Sequence, residues 1–169
     1  LFSGSKPATG GTMEPKPPPA VTVPEEIITE PARIVTARVL LIVYDPVMDP
    51  TSGQKLSQAM NWNRVEDLIR GFMTDIEETS GGLARYQIVQ RIDVNEFPAL
   101  VDGYRYDPAT YAAVVNKTAA AHKPVTTNAP QTVDYQAILT GFNILRRVAN
   151  REIDEVWVFA FPYAGFYES

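Results

Sequence analysis

The chain contains no cysteine in 169 residues. Disulfides, thiolate zinc sites and cysteine nucleophiles are therefore excluded. It has one histidine, His122, so no site built from two imidazoles of a single copy is available. No apolar run approaches the roughly 18 residues needed to cross a bilayer, and the sequence holds no membrane span. Positive charge is also short, with 15 Lys and Arg against 20 Asp and Glu, a net charge of -5. Binding to nucleic acid through phosphate neutralisation is not expected from that balance. Gly-x-Ser-x-Gly does not occur, and Gly10-Gly11 and Gly81-Gly82 lack both the spacing and the lysine of a phosphate loop. Nucleotide-dependent catalysis has no support, and no cofactor or metal is expected. What is present, 45% hydrophobic and 21% charged residues, is the composition of one globular domain.

Proline is unevenly placed. Half of the 14 prolines precede Ala32, and with Gly4, Gly10 and Gly11 they make residues 1–31 a Pro/Gly/Thr-rich arm or linker. Such a stretch cannot bury enough apolar surface to fold alone, and its triple proline favours polyproline II. Ordering it costs roughly 1–2 kcal/mol per residue, so an ordered arm must be held by folded protein. Val21, Val23, Ile27 and Ile28 are the apolar residues such docking would bury, on the chain's own domain or on a neighbouring subunit. The segment 21–30 also has the composition to extend a sheet edge by main-chain pairing. Residues 32–169 form the domain, which is expected to be incomplete at its C-terminal end.

Within the domain, residues 33–44 read as a strand. Val39, Leu40, Leu41, Ile42 and Val43 are an unbroken apolar run, the pattern of a strand covered on both faces, and Asp45-Pro46 ends it. Residues 63–79 read as an amphipathic helix on Val65, Leu68, Ile69, Phe72 and Ile76, with an Asn63/Glu66 capping box and a Gly81-Gly82 stop. Residues 85–94 alternate as a half-wet edge strand, with Tyr86, Ile88, Ile92 and Val94 on the buried face. A small hairpin is expected at Asp102-Gly103, and a helix over 108–121. Another helix is expected over 132–150, with Tyr135, Ile138, Leu139, Phe142 and Leu145 as its stripe. Residues 153–161 are the third strand, apolar on both faces. The pattern predicts an α/β layered domain with a mostly parallel sheet, partly doubly wound, in the order second-first-third. The third strand reads as central, so one of its edges needs a partner. Candidates are a later part of the chain, the Tyr104 segment, the arm or another subunit.

The most distinctive run is Asp154-Glu155-Val156-Trp157, continuing through Pro162-Tyr163-Ala164-Gly165-Phe166-Tyr167-Glu168-Ser169. With Tyr86-Gln87-Ile88-Val89, Phe97-Pro98 and Asp102-Gly103-Tyr104-Arg105-Tyr106, it resembles an uncharacterised family of exported bacterial proteins. The likeness spans roughly residues 39–169 and leaves out the arm. It implies a location outside the cytoplasm and a chain that continues past Ser169. It lends no catalytic role to any residue.

Ligands of open α/β sheets sit beyond the carboxyl ends of the strands, where the winding reverses. Asp45 and Asp49 follow the first strand there, and Tyr163, Phe166, Tyr167 and Glu168 follow the third. Asp45, Asp49 and Glu168 are the candidate catalytic acids. Asp45 and Asp49 also have the context of turn-forming residues, and Glu168 that of a solvated acid. Tyr163, Phe166 and Tyr167 are candidate ligand or interface residues, because aromatic rings stack on sugars and anchor partners. Asn116-Lys117-Thr118 is a glycosylation sequon. His122 has no carboxylate near it in sequence and reads as a solvated loop residue. The expected function is an extracellular or cell-surface binding or assembly component with a protein partner or homo-oligomer. The alternative is a secreted hydrolase acting on glycan or peptide through a carboxylate-lined cleft.

Overall fold

The computed structural model describes residues 32–123 and 132–166. Val21, Val23, Ile27, Ile28, Tyr167 and Glu168 lie outside the described residues. The central element is strand β1 (Val35–Tyr44), whose run Val39 to Val43 is 0–1% exposed. Fully burying one such side chain stabilises by about 1.5–3 kcal/mol, so this run has to lie beneath cover on both sides. After it come a two-residue-wide antiparallel ladder, β2 (Val47–Asp49) with β3 (Gln54–Lys55), the short helix α1 (Leu56–Ala59) and the long helix α2 (Val65–Thr79). Strand β4 (Ala84–Val94), helices α3 (Pro108–Val115), α4 (Tyr135–Gly141) and α5 (Ile144–Ala149), and strand β5 (Glu155–Phe159) complete the order.

The main sheet runs β4-β1-β5, with both neighbours parallel to β1. That is the expected second-first-third order of a parallel α/β sheet. The pleat of β1 sends alternate side chains to opposite layers. Leu41 and Val43 meet Ile69, Val65 and Met73 of α2. Leu40, Ile42 and Tyr44 meet Tyr111 and Val114 of α3, Ile138 of α4 and Ile144 of α5. Tyr111 is wholly buried, and its hydroxyl donates to the Pro162 carbonyl at 2.8 Å, tying α3 to the end of β5. No helix of the described residues is long and apolar enough to cross a membrane.

Several local expectations change. The β1–β4 register shifts between Val39 and Leu40, which pair with Ile88 and Gln90, leaving Val89 as an extra residue. A bulge of this kind exchanges the faces of a strand beyond it. Ile88 therefore joins the α2 layer while Ile92 and Val94 join the opposite one, instead of sharing a single buried face. The helix expected over 132–150 breaks in two. Asn143 adopts left-handed φ of 53°, a conformation that asparagine tolerates. The break re-aims the stripe: Ile144 is buried, while Leu145 is 67% exposed. The Asn63/Glu66 capping box does not form. The N-cap is Arg64, without a side-chain cap, and α2 starts at Val65. Its far end follows expectation. Gly82 donates to the Glu77 carbonyl and Gly81 to that of Glu78, both glycines having positive φ, which is a Schellman stop.

The third helix is shorter than expected, ending at Val115, and is capped by Asp107 with Thr110. Asp102-Gly103 makes a turn without flanking strands, and Leu100 instead bridges Val133. The third strand is an edge of the three-stranded sheet, not a central strand, among the described residues.

The foot of β5 is locked to β1 by charge. Asp154 receives Arg38 Nη2 at 2.8 Å, Nε at 2.9 Å and the Arg38 backbone N–H at 2.9 Å. A further Arg38 nitrogen donates to the Arg151 carbonyl. The Arg38 guanidinium holds the Asp154 carboxyl down at about 2. A carboxyl depressed in the folded state stabilises above its unfolded value, near pH ~4, and that contribution is lost as pH falls through the folded value. Asp154→Asn is therefore expected to lower the melting temperature at pH 6 and to narrow its gap to the parent between pH ~4 and ~2. Parallel melting-temperature curves over that range would contradict the lock.

Candidate functional site

A cleft of about 320 Å³ opens at the carboxyl ends of β1 and β5, where the two windings of the sheet diverge. Its position follows from the chain path. Proline at position 46 ends β1, the β2–β3 ladder turns the chain back, and α1 with the loop into α2 forms the opposite wall. Tyr44, Trp62, Phe159 and Phe161 make the wall largely aromatic, and Leu68 and Val65 extend it along α2. Trp62 is half-buried and stacks on Phe161 with centroids 6.5 Å apart and planes 19° from parallel. Asn61, Asn63, Ser57 and Asp45 supply the polar groups. Burial pushes the Tyr44 phenol above its ordinary value, so it is a neutral group at physiological pH.

Asp45 lines this cleft, as its place after β1 predicts, but its oxygens are engaged. The Ser57 backbone N–H donates to Oδ1 at 2.9 Å and the Ser57 hydroxyl to Oδ2 at 2.8 Å. Asp49 is not among the cleft residues. It holds the β2–β3 turn, accepting the Ser52 hydroxyl at 2.7 Å and the Thr51 N–H at 2.9 Å. These two bonds, the Ser52 hydroxyl first, lower its carboxyl below the usual range. Glu168, the third acid of the set, is outside the described residues. Among the described residues no three His, Asp or Glu side chains converge as a cation site would require.

The aromatic candidates separate. Tyr163 is 59% exposed with left-handed φ of 63°, and Gly165 two residues on also has positive φ, 91°. Phe166 turns inward, 6.3 Å from Tyr44 and 5.8 Å from Tyr135 between ring centroids. Asn116 of the sequon is exposed at the C-cap of α3, while the Thr118 hydroxyl donates to the Ala113 carbonyl at 3.0 Å.

A pairing that sequence reasoning missed involves His122. Its Nε2 lies 2.7 Å from Asp102 Oδ2, and its ring stacks on Tyr104 at 3.7 Å and 6°. The histidine and aspartate side chains are only 20% and 17% exposed. The imidazole holds the Asp102 carboxyl below its usual range, helped by the Tyr104 N–H. The His122 backbone N–H also donates to the Tyr106 hydroxyl. The Asp-Gly-Tyr-Arg-Tyr turn was the available signal, since it presents an acid and two rings together. The 20-residue separation hid its partner. Comparison with protein-family models, with curated proteins and with solved structures returned no match.

The bonds around Asp45 assign it a measurable structural role. Asp45→Ala is expected to lower unfolding free energy in urea by about 1 kcal/mol, the usual cost of losing a carboxylate that holds the first turn of a helix. Ser57→Ala keeps the backbone bond and should cost less. Equal costs, or none for Asp45→Ala, would contradict this role.

Proposed function

We propose that the chain is an extracellular or cell-surface binding and assembly component, with its arm docking on folded protein of its own or a neighbouring subunit. The observation that carries the binding half is the aromatic-walled cleft at the carboxyl ends of β1 and β5, whose one carboxylate is already bonded to Ser57. Aromatic and amide groups around a space of this size suit stacking and hydrogen bonding to a neutral ligand, such as a sugar ring or an apolar side chain of a partner. The location outside the cytoplasm draws support from the resemblance of the segment after Asp154 to exported bacterial proteins. The hydrolase alternative draws support from the presence of Asp45 in the cleft. It requires that acid to leave Ser57 or to share it with substrate.

Trp62 provides the test. The chain has two tryptophans, so Trp157→Phe leaves Trp62 as the sole indole reporter in the cleft. Titration of that full-length variant with neutral oligosaccharides and with short aromatic peptides is expected to shift its emission without turnover. Trp62→Ala, followed by calorimetric titration because it removes the reporter, should weaken binding about tenfold, matching a stacking contribution of about 1–1.5 kcal/mol. Cleavage of either ligand that is lost in Asp45→Asn would replace the binding reading by the hydrolase one.

A further inference from the structure

We propose that His122 is a proton-operated clasp. Held between the Asp102 carboxylate and the Tyr104 ring, it fastens the chain after α3 to the 99–106 turn, and fastens it more tightly when the imidazole is charged. This goes beyond the binding reading above and does not depend on it.

The turn is built as an anchor. The Leu100 N–H donates to the Tyr104 carbonyl and the Gly103 N–H to the Leu100 carbonyl, both at 2.8 Å, which closes the turn on itself. Asp102 Oδ1 accepts the Tyr104 N–H at 3.0 Å and leaves Oδ2 for His122. Leu100 and Tyr106 are buried in the same core as Tyr111 of α3, so the turn is fixed to the domain from below.

Two stretches of chain attach to this anchor, by different means. Residues 132–134 attach through the main chain. The Val101 N–H donates to the Thr132 carbonyl at 3.0 Å and the Asp134 N–H to the Ala99 carbonyl at 2.8 Å. Such bonds do not titrate. The other stretch follows α3. The Thr118 and Ala119 N–H groups bond back to the Ala113 carbonyl, and Ala119, Ala120 and Ala121 bring only methyl groups. His122 is where this stretch gains polar hold on the turn. Its N–H donates to the Tyr106 hydroxyl at 2.9 Å, and its ring meets Asp102 and Tyr104. One attachment is therefore indifferent to pH, and the other contains the chain's single histidine.

The chemistry sets the sign. With Nε2 at 2.7 Å from Oδ2, the neutral imidazole donates its Nε2 hydrogen to the carboxylate and takes a further proton at Nδ1. That uptake converts an ordinary donor into a charged one, and charge-assisted bonds are the stronger. The Tyr104 ring, 3.7 Å away with planes 6° apart, also favours a cation over its face. The other charged groups near the cluster do not compete for Asp102. Arg105 of the same turn is engaged by Glu96 and the Phe97 carbonyl, and Lys117 and Lys123 are exposed on the histidine's own stretch. The imidazole and the Tyr104 N–H hold the Asp102 carboxyl below its usual range, so it stays an anion over pH ~5–8, the interval in which histidines ordinarily change charge. The clasp thus tightens as pH falls through that interval. The carboxylate's share is present above the ordinary value near pH ~4 and is lost as pH falls through the depressed one.

Amide exchange in the full-length protein tests this. Each rate is divided by its intrinsic rate at that pH, and Tyr111, whose N–H donates to the Asp107 carbonyl within α3, serves as the internal reference. Protection at position 122 relative to Tyr111 is expected to rise about threefold from pH ~7.5 to ~5.5, the scale of a partly shielded ion pair. The imidazole resonances of the sole histidine should change over the same interval; a rise in protection while they stay constant overturns the clasp. Asp102→Asn keeps an acceptor for the Tyr104 N–H and removes the charge, and His122→Gln keeps a donor and removes the titration, so each should abolish the rise. A rise that persists in Asp102→Asn overturns the pairing as its cause. A ratio in the unsubstituted protein that is constant with pH, or that falls on acidification, overturns the proposal without any variant.

Discussion

The structure depends on the double burial of β1. Five consecutive residues, Val39 to Val43, are excluded from water on both faces of a sheet that is three strands wide among the described residues. A strand of this kind cannot sit at an edge or face solvent, so it needs a neighbour on each side and a helical layer above and below. α2 supplies one layer and α3, α4 and α5 the other. The same demand places the crossovers on opposite faces, and the cleft opens where they diverge. The site's position is in this sense a consequence of the core.

Much of this was legible in the sequence. The run Val39-Leu40-Leu41-Ile42-Val43 identified the central strand, the alternation from Tyr86 to Val94 identified an outer one, and together they implied the strand order. What escaped prediction was set by single backbone positions. The extra residue Val89 redistributes Ile88, Ile92 and Val94 between layers, and period-two alternation looks the same on either side of a bulge. Asn143 interrupts a stripe that reads as continuous, because a left-handed asparagine leaves no trace in hydrophobic periodicity. The third strand looks central by composition, yet it is an edge among the described residues. Composition records how apolar a strand is, not whether a partner is present.

The cleft was anticipated through the strand-end rule, and Asp45 was anticipated within it. Trp62 was not, since it lies in the loop between α1 and α2 outside both periodic patterns. Two of the three acids selected by position hold local geometry. Asp45 holds the start of α1 and Asp49 its own turn. Long-range polar pairing was the least legible feature. Asp102 with His122 and Arg38 with Asp154 each join residues far apart in the chain, and only the complete fold brings them together.

Native-state hydrogen exchange tests the central claim most directly. If the double burial of β1 organises the fold, its amides from Leu40 to Val43 exchange only through global unfolding. Their exchange free energies should then be the highest in the domain and fall with denaturant at the full equilibrium slope. Exchange of these amides through local opening, with protection below that of α2 and little denaturant dependence, would contradict the account.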